Sequence, residues 1–253
     1  VKIGGDVYDW DPGDYIDRKE AKRLDRFSQF ALYAGSKAVE NSGLDFSKEE
    51  PFRAGVILGS GIGGLQEIET QIERLLSKGP ERVSAFTIPK LMLNAAGGNI
   101  SIRYGLQGPN YTVATACASA TNAMGDALKT IQYGDADIMI TGGTEAAITP
   151  MGVSGFQNMK ALSMRNDEPT QASRPFDMNR DGFVISEGAG IIVIEELEHA
   201  KQPGANILCE LFGFGSSGDA AHITQPNEKG LGAAPVSYTH LRAHETEADV
   251  VCR

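Results

Sequence analysis

"NYTVATACASATNAMGDALKTIQYGDADIMITGG", Asn110 to Gly143, changes its side-chain period twice along its length. Its first residues are β-branched and aromatic and read as a strand. From Ser119 the period changes. Ala120, Ala123, Met124, Ala127, Leu128 and Ile131 recur at helical spacing, and Gly134 is a natural stop. "ADIMITGG" then reads as a second strand. A strand, a helix and a strand in succession make a crossover unit, which joins parallel strands. The expected class is therefore α/β, with a largely parallel sheet covered by helices.

The pattern extends in both directions. "FRAGVILGS", Phe52–Ser60, reads as a buried strand. Upstream, Asp17–Gly43 reads as one helix, with Leu24, Phe27, Ala31, Ala34 and Ala38 on its apolar side. Leu65–Lys78 reads as another, with Leu65, Ile68, Ile72, Leu75 and Leu76 on one face and Gly79-Pro80 ending it. Ile88–Gly105 is expected to be helical despite Gly97-Gly98, adjacent glycines that suggest close backbone contact. A long irregular stretch from Pro150 precedes two more expected strands, "GAGIIVIEEL" and "NILCELFGFG". The segment from Pro235, "PVSYTHLRAHETEADVVCR", continues none of this patterning. It reads as a foreign tail, so the expected organisation is one domain over 1–234 and a non-native extension over 235–253.

Composition excludes some classes of function. The chain is 41% hydrophobic and 22% charged, as a globular protein is. No run approaches the ~18 apolar residues of a membrane span. A net charge of −10 argues against a nucleic-acid-binding surface. Three widely spaced cysteines make no disulfide framework and fit a reducing compartment. No signal peptide is apparent, and a chain that opens on Val1 is expected to begin inside a longer protein.

Two features could carry chemistry. "GSGIGG", Gly59–Gly64, follows a strand and opens a helix, so it satisfies the dinucleotide-binding G-x-G-x-x-G pattern. That reading needs an acidic residue at the end of the next strand, about 20 positions on. Glu81 stands before any plausible strand, so a tight turn allowing close approach of neighbouring elements is the simpler reading. The second feature is Cys117. A free cysteine is often buried filler, and Cys209 is read that way. Cys117 instead has only Ala116, Ala118 and Ser119 around it and stands where strand gives way to helix. A helix N-terminus stabilises an adjacent anion by ~0.3–1 kcal/mol at an exposed site. The thiolate is the nucleophilic form of cysteine, so covalent catalysis is the competing reading.

"TACAS", "YGDADIMITGGTEA", "SRPFDMNRDGFVISEGAGIIVIEELEHAK" and "GFGSSGDAAHITQP" together resemble the β-ketoacyl-acyl-carrier-protein synthases of the elongating, type II kind. "GSGIGGL" and "KGPERVSAFTIPKLMLN" fit the same pattern, and the resemblance runs from about Val1 to Ala234. It implies a thiolase-like layered fold with a mixed sheet, of which only the first half is present, and a homodimer. It implies that Cys117 accepts an acyl chain from the phosphopantetheine arm of acyl carrier protein, with no cofactor, and condenses it with a malonyl-derived carbanion. The two catalytic histidines, the Lys, the Glu and the Gly-Phe gating loop of the family's second half have no counterpart here. The chain therefore resembles a fragment, expected to be inactive alone.

Other site residues are carried over by the same resemblance. Ile62 and Phe156 would line the acyl tunnel; ordinary core packing is the plainer alternative. Lys19, Lys22, Arg23, Arg82 and Lys160 match basic carrier-protein docking positions, although a solvated helix face accounts equally well for the first three. Asp219 and His222 match a loop beside the gate. His199 reads as a solvated residue in a polar turn. His240 and His244 have metal-ligand spacing but stand in the tail, so no metal site is expected. Two other functions remain open: a polyketide ketosynthase, and a non-catalytic partner subunit, against which Cys117 argues.

Overall fold

The computed structural model describes residues 1–236 and 250–252. The central strands form where apolar runs were read. β1 (Ala54–Gly59) is buried along its whole length. β2 (Asn110–Val113) and β3 (Ile138–Glu145) flank it, both parallel to it. The helix between them, α6 (Ser119–Gln132), completes the expected crossover. β4 (Gly188–Glu196) then pairs antiparallel with β3. Two short strands, β5 (Cys209–Glu210) and β6 (Val250–Cys252), finish a sheet of order β2-β1-β3-β4-β6-β5. The sheet is mixed, and its parallel part carries the cysteine turn.

Alternation along the strands sorts side chains into two cores. Val56, Leu58, Ile138, Ile140 and Val193 face α2 (Arg26–Ser42) and α5 (Ala95–Tyr104). Ile57, Met139 and Ile194 face α6 through Ala123, Ala127, Leu128 and Ile131. A strand buried on both faces must be apolar at successive positions, which is why β1 reads as a continuous run.

Several elements differ from expectation. The helix read over Asp17–Gly43 is two: α1 (Arg18–Ala21) and α2. Asp25 ends the first reading, because its carboxylate caps α2 by accepting from Phe27 N–H while Leu24 is buried in the turn. The helix read over Ile88–Gly105 breaks at Met92–Asn94 into α4 (Thr87–Leu91) and α5. Close contact with a neighbouring backbone is found at neither glycine: a Cβ on Gly97 would meet side-chain atoms, Asn110 Oδ1 at 3.3 Å and Val56 Cγ1 at 3.5 Å, and one on Gly98 has open space. The last expected strand shrinks to the two residues of β5, and Cys209 on it is exposed rather than buried. An edge strand that short leaves its side chains uncovered. α3 (Leu65–Lys78) forms where read but packs differently: Glu67 and Gln71 are buried and Leu65 and Ile68 half-buried, while Ile72, Leu75 and Leu76 are exposed.

Candidate active site

Small residues bring the cysteine turn onto the ends of the parallel strands. A Cβ on Gly59 would lie 2.2 Å from the carbonyl carbon of Ser119, and one on Gly143 would lie 2.6 Å from Ala120 Cβ. The start of α6 therefore sits directly above the C-terminal ends of β1 and β3, the edge at which parallel sheets place ligands. Cys117 occupies the 3₁₀ turn Ala116–Ala118 immediately before α6 and is exposed. Ala116 is held at φ 50°, a left-handed conformation that costs a residue with a Cβ ~1–2 kcal/mol.

Side chains of the same turn hold that strain. Thr115 N–H donates to Ser119 Oγ at 2.9 Å, and Ser119 Oγ donates to Ala116 C=O at 2.6 Å. Asn122 Nδ2 donates to Thr115 Oγ1 at 2.8 Å. No side chain caps the N-terminus of α6; the 3₁₀ turn before it takes up Ala118 N–H on Thr115 C=O at 3.1 Å and Ser119 N–H on Ala116 C=O, and the helix dipole still favours negative charge at this end.

Cys117 opens into a cavity of about 540 Å³. Ile62 and Phe156 line it, together with Phe183 and Ile185. Phe156, on α7 (Pro150–Asn158), meets Phe183 edge to face with ring centroids 5.3 Å apart. The wall is mainly apolar, with Glu145 as its charged member. Sequence reading does not single out Glu145. The one signal for it is a carboxylate ending a buried strand opposite a glycine loop. That carboxylate accepts from Gly61 N–H at 2.7 Å, Ile62 N–H at 3.0 Å and Gly63 N–H at 3.2 Å. The Gly59–Gly64 loop is thus a tight turn, as read. A Cβ on Gly64 would strike the Cα of Leu91 at 2.5 Å.

The remaining candidates stand elsewhere. Lys19, Lys22, Arg23, Arg82 and Lys160 are all exposed. Arg23 lies 5.2 Å over the ring of Phe86, so the end of α1 abuts the segment that follows Arg82. Lys160 follows α7, on the side of the molecule that carries Phe156. Asp219 and His222 are not part of the cavity wall. Asp219 accepts from Asn227 N–H at 2.8 Å, and His222 Nδ1 accepts from Thr224 and Gln225 N–H, each at 3.1 Å. His240 and His244 lie outside the described residues.

His199 is not a solvated turn residue. Its Nδ1 meets the buried carboxylate of Glu195, and its Nε2 lies 3.3 Å from Glu49. A second, polar cavity of about 750 Å³ lies between the start of α2 and α3. Two ion pairs stand in it, Arg26 with Glu187 at 2.7 Å and Lys90 with Glu67, and burial raises the pKa of Asp25 beside them. Among the described residues no three side chains cluster as metal ligands, and no helix is long and apolar enough to cross a membrane.

A family model for the β-ketoacyl synthase N-terminal domain matches residues 5–200. The chain is 50% identical over 234 residues to the 3-oxoacyl-[acyl-carrier-protein] synthase 2 of Vibrio cholerae, an alignment covering 92% of this chain and 56% of that one. Among solved structures, a β-ketoacyl synthase from Burkholderia phymatum superposes with a TM-score of 0.86 at 32% identity, over 96% of this chain and 59% of its own. A type II polyketide acyl-carrier protein in complex with its ketosynthase matches with a TM-score of 0.73 at 28% identity, over 85% and 59%. The chain thus spans a little over half the length of these relatives.

Proposed function

The chain belongs to the β-ketoacyl synthase family, and from that premise we propose that it carries the acyl-accepting half-site of a 3-oxoacyl-carrier-protein synthase of fatty acid elongation. One observation supports this above the rest: Cys117 sits on a strained turn at the start of a helix and lines an apolar cavity. In the first half-reaction the Cys117 thiolate attacks the carbonyl of an acyl thioester. The oxyanion collapses, the carrier's phosphopantetheine thiolate leaves, and the acyl chain is held as a thioester on Sγ. In the second, malonyl-carrier protein loses CO₂, and the resulting carbanion attacks that thioester and expels the Cys117 thiolate. Neither step needs an electron acceptor or a metal.

The cavity wall of Ile62, Phe156 and Phe183 suits an alkyl chain, each buried CH₂ of which contributes ~0.8 kcal/mol. Lys19, Lys22, Arg23, Arg82 and Lys160 form the docking surface for acyl carrier protein in this reading. The protein works in the cytoplasm as a homodimer. The exposed apolar side of α3 offers a surface for the second copy, with Ile72, Leu75 and Leu76 uncovered. A polyketide ketosynthase is the second reading, favoured by the structural likeness to the polyketide ketosynthase complex.

Acyl transfer tests the proposal. Incubation of the full-length parent protein with acyl-acyl carrier protein is expected to add the acyl mass to the Cys117 peptide, and Cys117→Ala abolishes it. Because Cys209 is also exposed, the modification must be mapped by peptide. Acylation at another cysteine and not at Cys117, or at no cysteine, refutes the reading. Comparing fatty acyl with β-ketoacyl donors separates the elongation and polyketide readings.

A further inference from the structure

The Gly59–Gly64 loop has the backbone form of an anion site: successive N–H groups point into one concavity, and Gly63 takes φ +73°. The anion it holds is internal. Gly61 and Ile62 N–H reach Glu145 Oε2, and Gly63 N–H reaches Oε1. Ser60 Oγ, in a buried side chain, donates to the same Oε1 at 3.2 Å. Four donors thus converge on two oxygens from a residue 82–85 positions away. Only an ionised carboxylate can accept at both ends; a glutamine in its place would turn an NH₂ donor toward one pair. A side chain at residue 61 would crowd this arrangement, since a Cβ there lies 3.1 Å from Glu145 Oε2.

The middle bond of the set is made by Ile62, whose side chain lines the cavity that Cys117 opens into. We infer that Glu145 is a positioning residue for acyl-chain length: by filling the glycine loop as its built-in anion, it fixes where Ile62 stands in the cavity wall. The inference rests on the reading of that cavity as the acyl site. Hydrogen bonds to a charged group are the strong class, so this is the anchor that holds the loop against the push of a bound chain. An exogenous phosphate has no place in the loop while the carboxylate is there. The G-x-G-x-x-G pattern therefore serves substrate selection and not nucleotide binding.

The test uses N-alkyl iodoacetamides of rising chain length, which form an S–C bond at Cys117 with loss of iodide. Each rate is divided by that of the same protein with iodoacetamide. In the wild type, the normalised rate at Cys117 is expected to rise about fourfold per methylene until the chain meets the cavity wall. In Glu145→Gln that limit blurs and the rise per methylene flattens. A wild-type rise and limit retained unchanged in Glu145→Gln overturn the inference and leave the acyl-cavity reading standing. A flat wild-type profile overturns the cavity reading itself. Amide hydrogen exchange of the wild type gives a check that needs no variant. Gly61, Ile62 and Gly63 N–H should exchange at least ~10-fold more slowly than solvent-bonded loop amides; exchange at the free-loop rate refutes the anchor.

Discussion

Gly59 shows what a single residue does here. It has no side chain because the backbone of α6 occupies the space where one would be, with Ser119 C at 2.2 Å and Ala120 N at 2.3 Å from an added Cβ. Backbone cannot swing aside as a side-chain tip can, so Gly59→Ala must push the cysteine turn off the strand ends. Overpacking of this kind costs ~1–3 kcal/mol. Urea denaturation should show that loss, together with slower iodoacetamide labelling of Cys117. Gly98→Ala is the matched control. It stands in helix α5 with open space around its Cβ position and should gain ~0.5–1 kcal/mol. Equal stability in the two variants would refute the close packing. The glycine pattern predicts close backbone contact at Gly97 and Gly98 alike; Gly97 meets only side chains of the sheet and Gly98 meets nothing, because a glycine pair does not say which member faces the sheet or what lies there.

At the scale of elements, periodicity told where helices form and misjudged what one of them faces. The stripe Leu65, Ile68, Ile72, Leu75 and Leu76 is present on α3, yet the helix turns Glu67 and Gln71 inward. Glu67 pairs with Lys90, and Gln71 Oε1 accepts from Ser84 N–H at 3.0 Å. Those partners come from the segment after the helix, so no pattern within the helix could announce them. The junction of β4 with α8 (Leu197–Lys201) makes the same point through His199. Burial lowers its pKa, but the hydrogen bond to Glu195 and the charges of Glu195, Glu49 and Asp137 outweigh burial and raise it overall. Arg53, the cation nearby, is engaged by Asp137 at 2.6 Å. The folded state therefore binds the imidazole proton more tightly than the unfolded chain does. The stabilisation is complete below the ordinary histidine pKa and is lost as pH rises through the raised folded value. Urea midpoints measured from about pH 6 to about pH 9 should fall for the wild type through this window. His199→Gln should flatten that decline; an identical slope in the variant would show that the contact carries no linkage.

The whole molecule matters through its charge. At −10 overall, the protein repels an acidic partner from most directions, so a local basic area is needed to steer one in. Lys22 and Arg23 stand at the exposed end of α1, with Arg23 stacked over Phe86. Reversing both, Lys22→Glu with Arg23→Glu, should slow association with acyl carrier protein roughly tenfold at low salt. The deficit should shrink near 0.15 M salt, where the Debye length is about 8 Å. Stopped-flow association rates at two ionic strengths check this. A rate unchanged at low salt would remove these two residues from the docking surface.

Residue pattern along the chain is enough to fix the α/β class, the crossover around Asn110–Gly143, the position of Cys117 between strand and helix, and the family through motifs spread along the chain. These are local properties: side-chain period, turn residues and short motifs act over a few positions. Packing of separate elements was needed to show that Glu145 fills the glycine loop, that α3 buries Glu67 and Gln71, that His199 lies between two carboxylates and that Cys209 is exposed. A buried polar group requires a partner, and here the partners come from other elements, in the loop's case more than eighty positions away. Which partner meets which group is settled only when the elements pack.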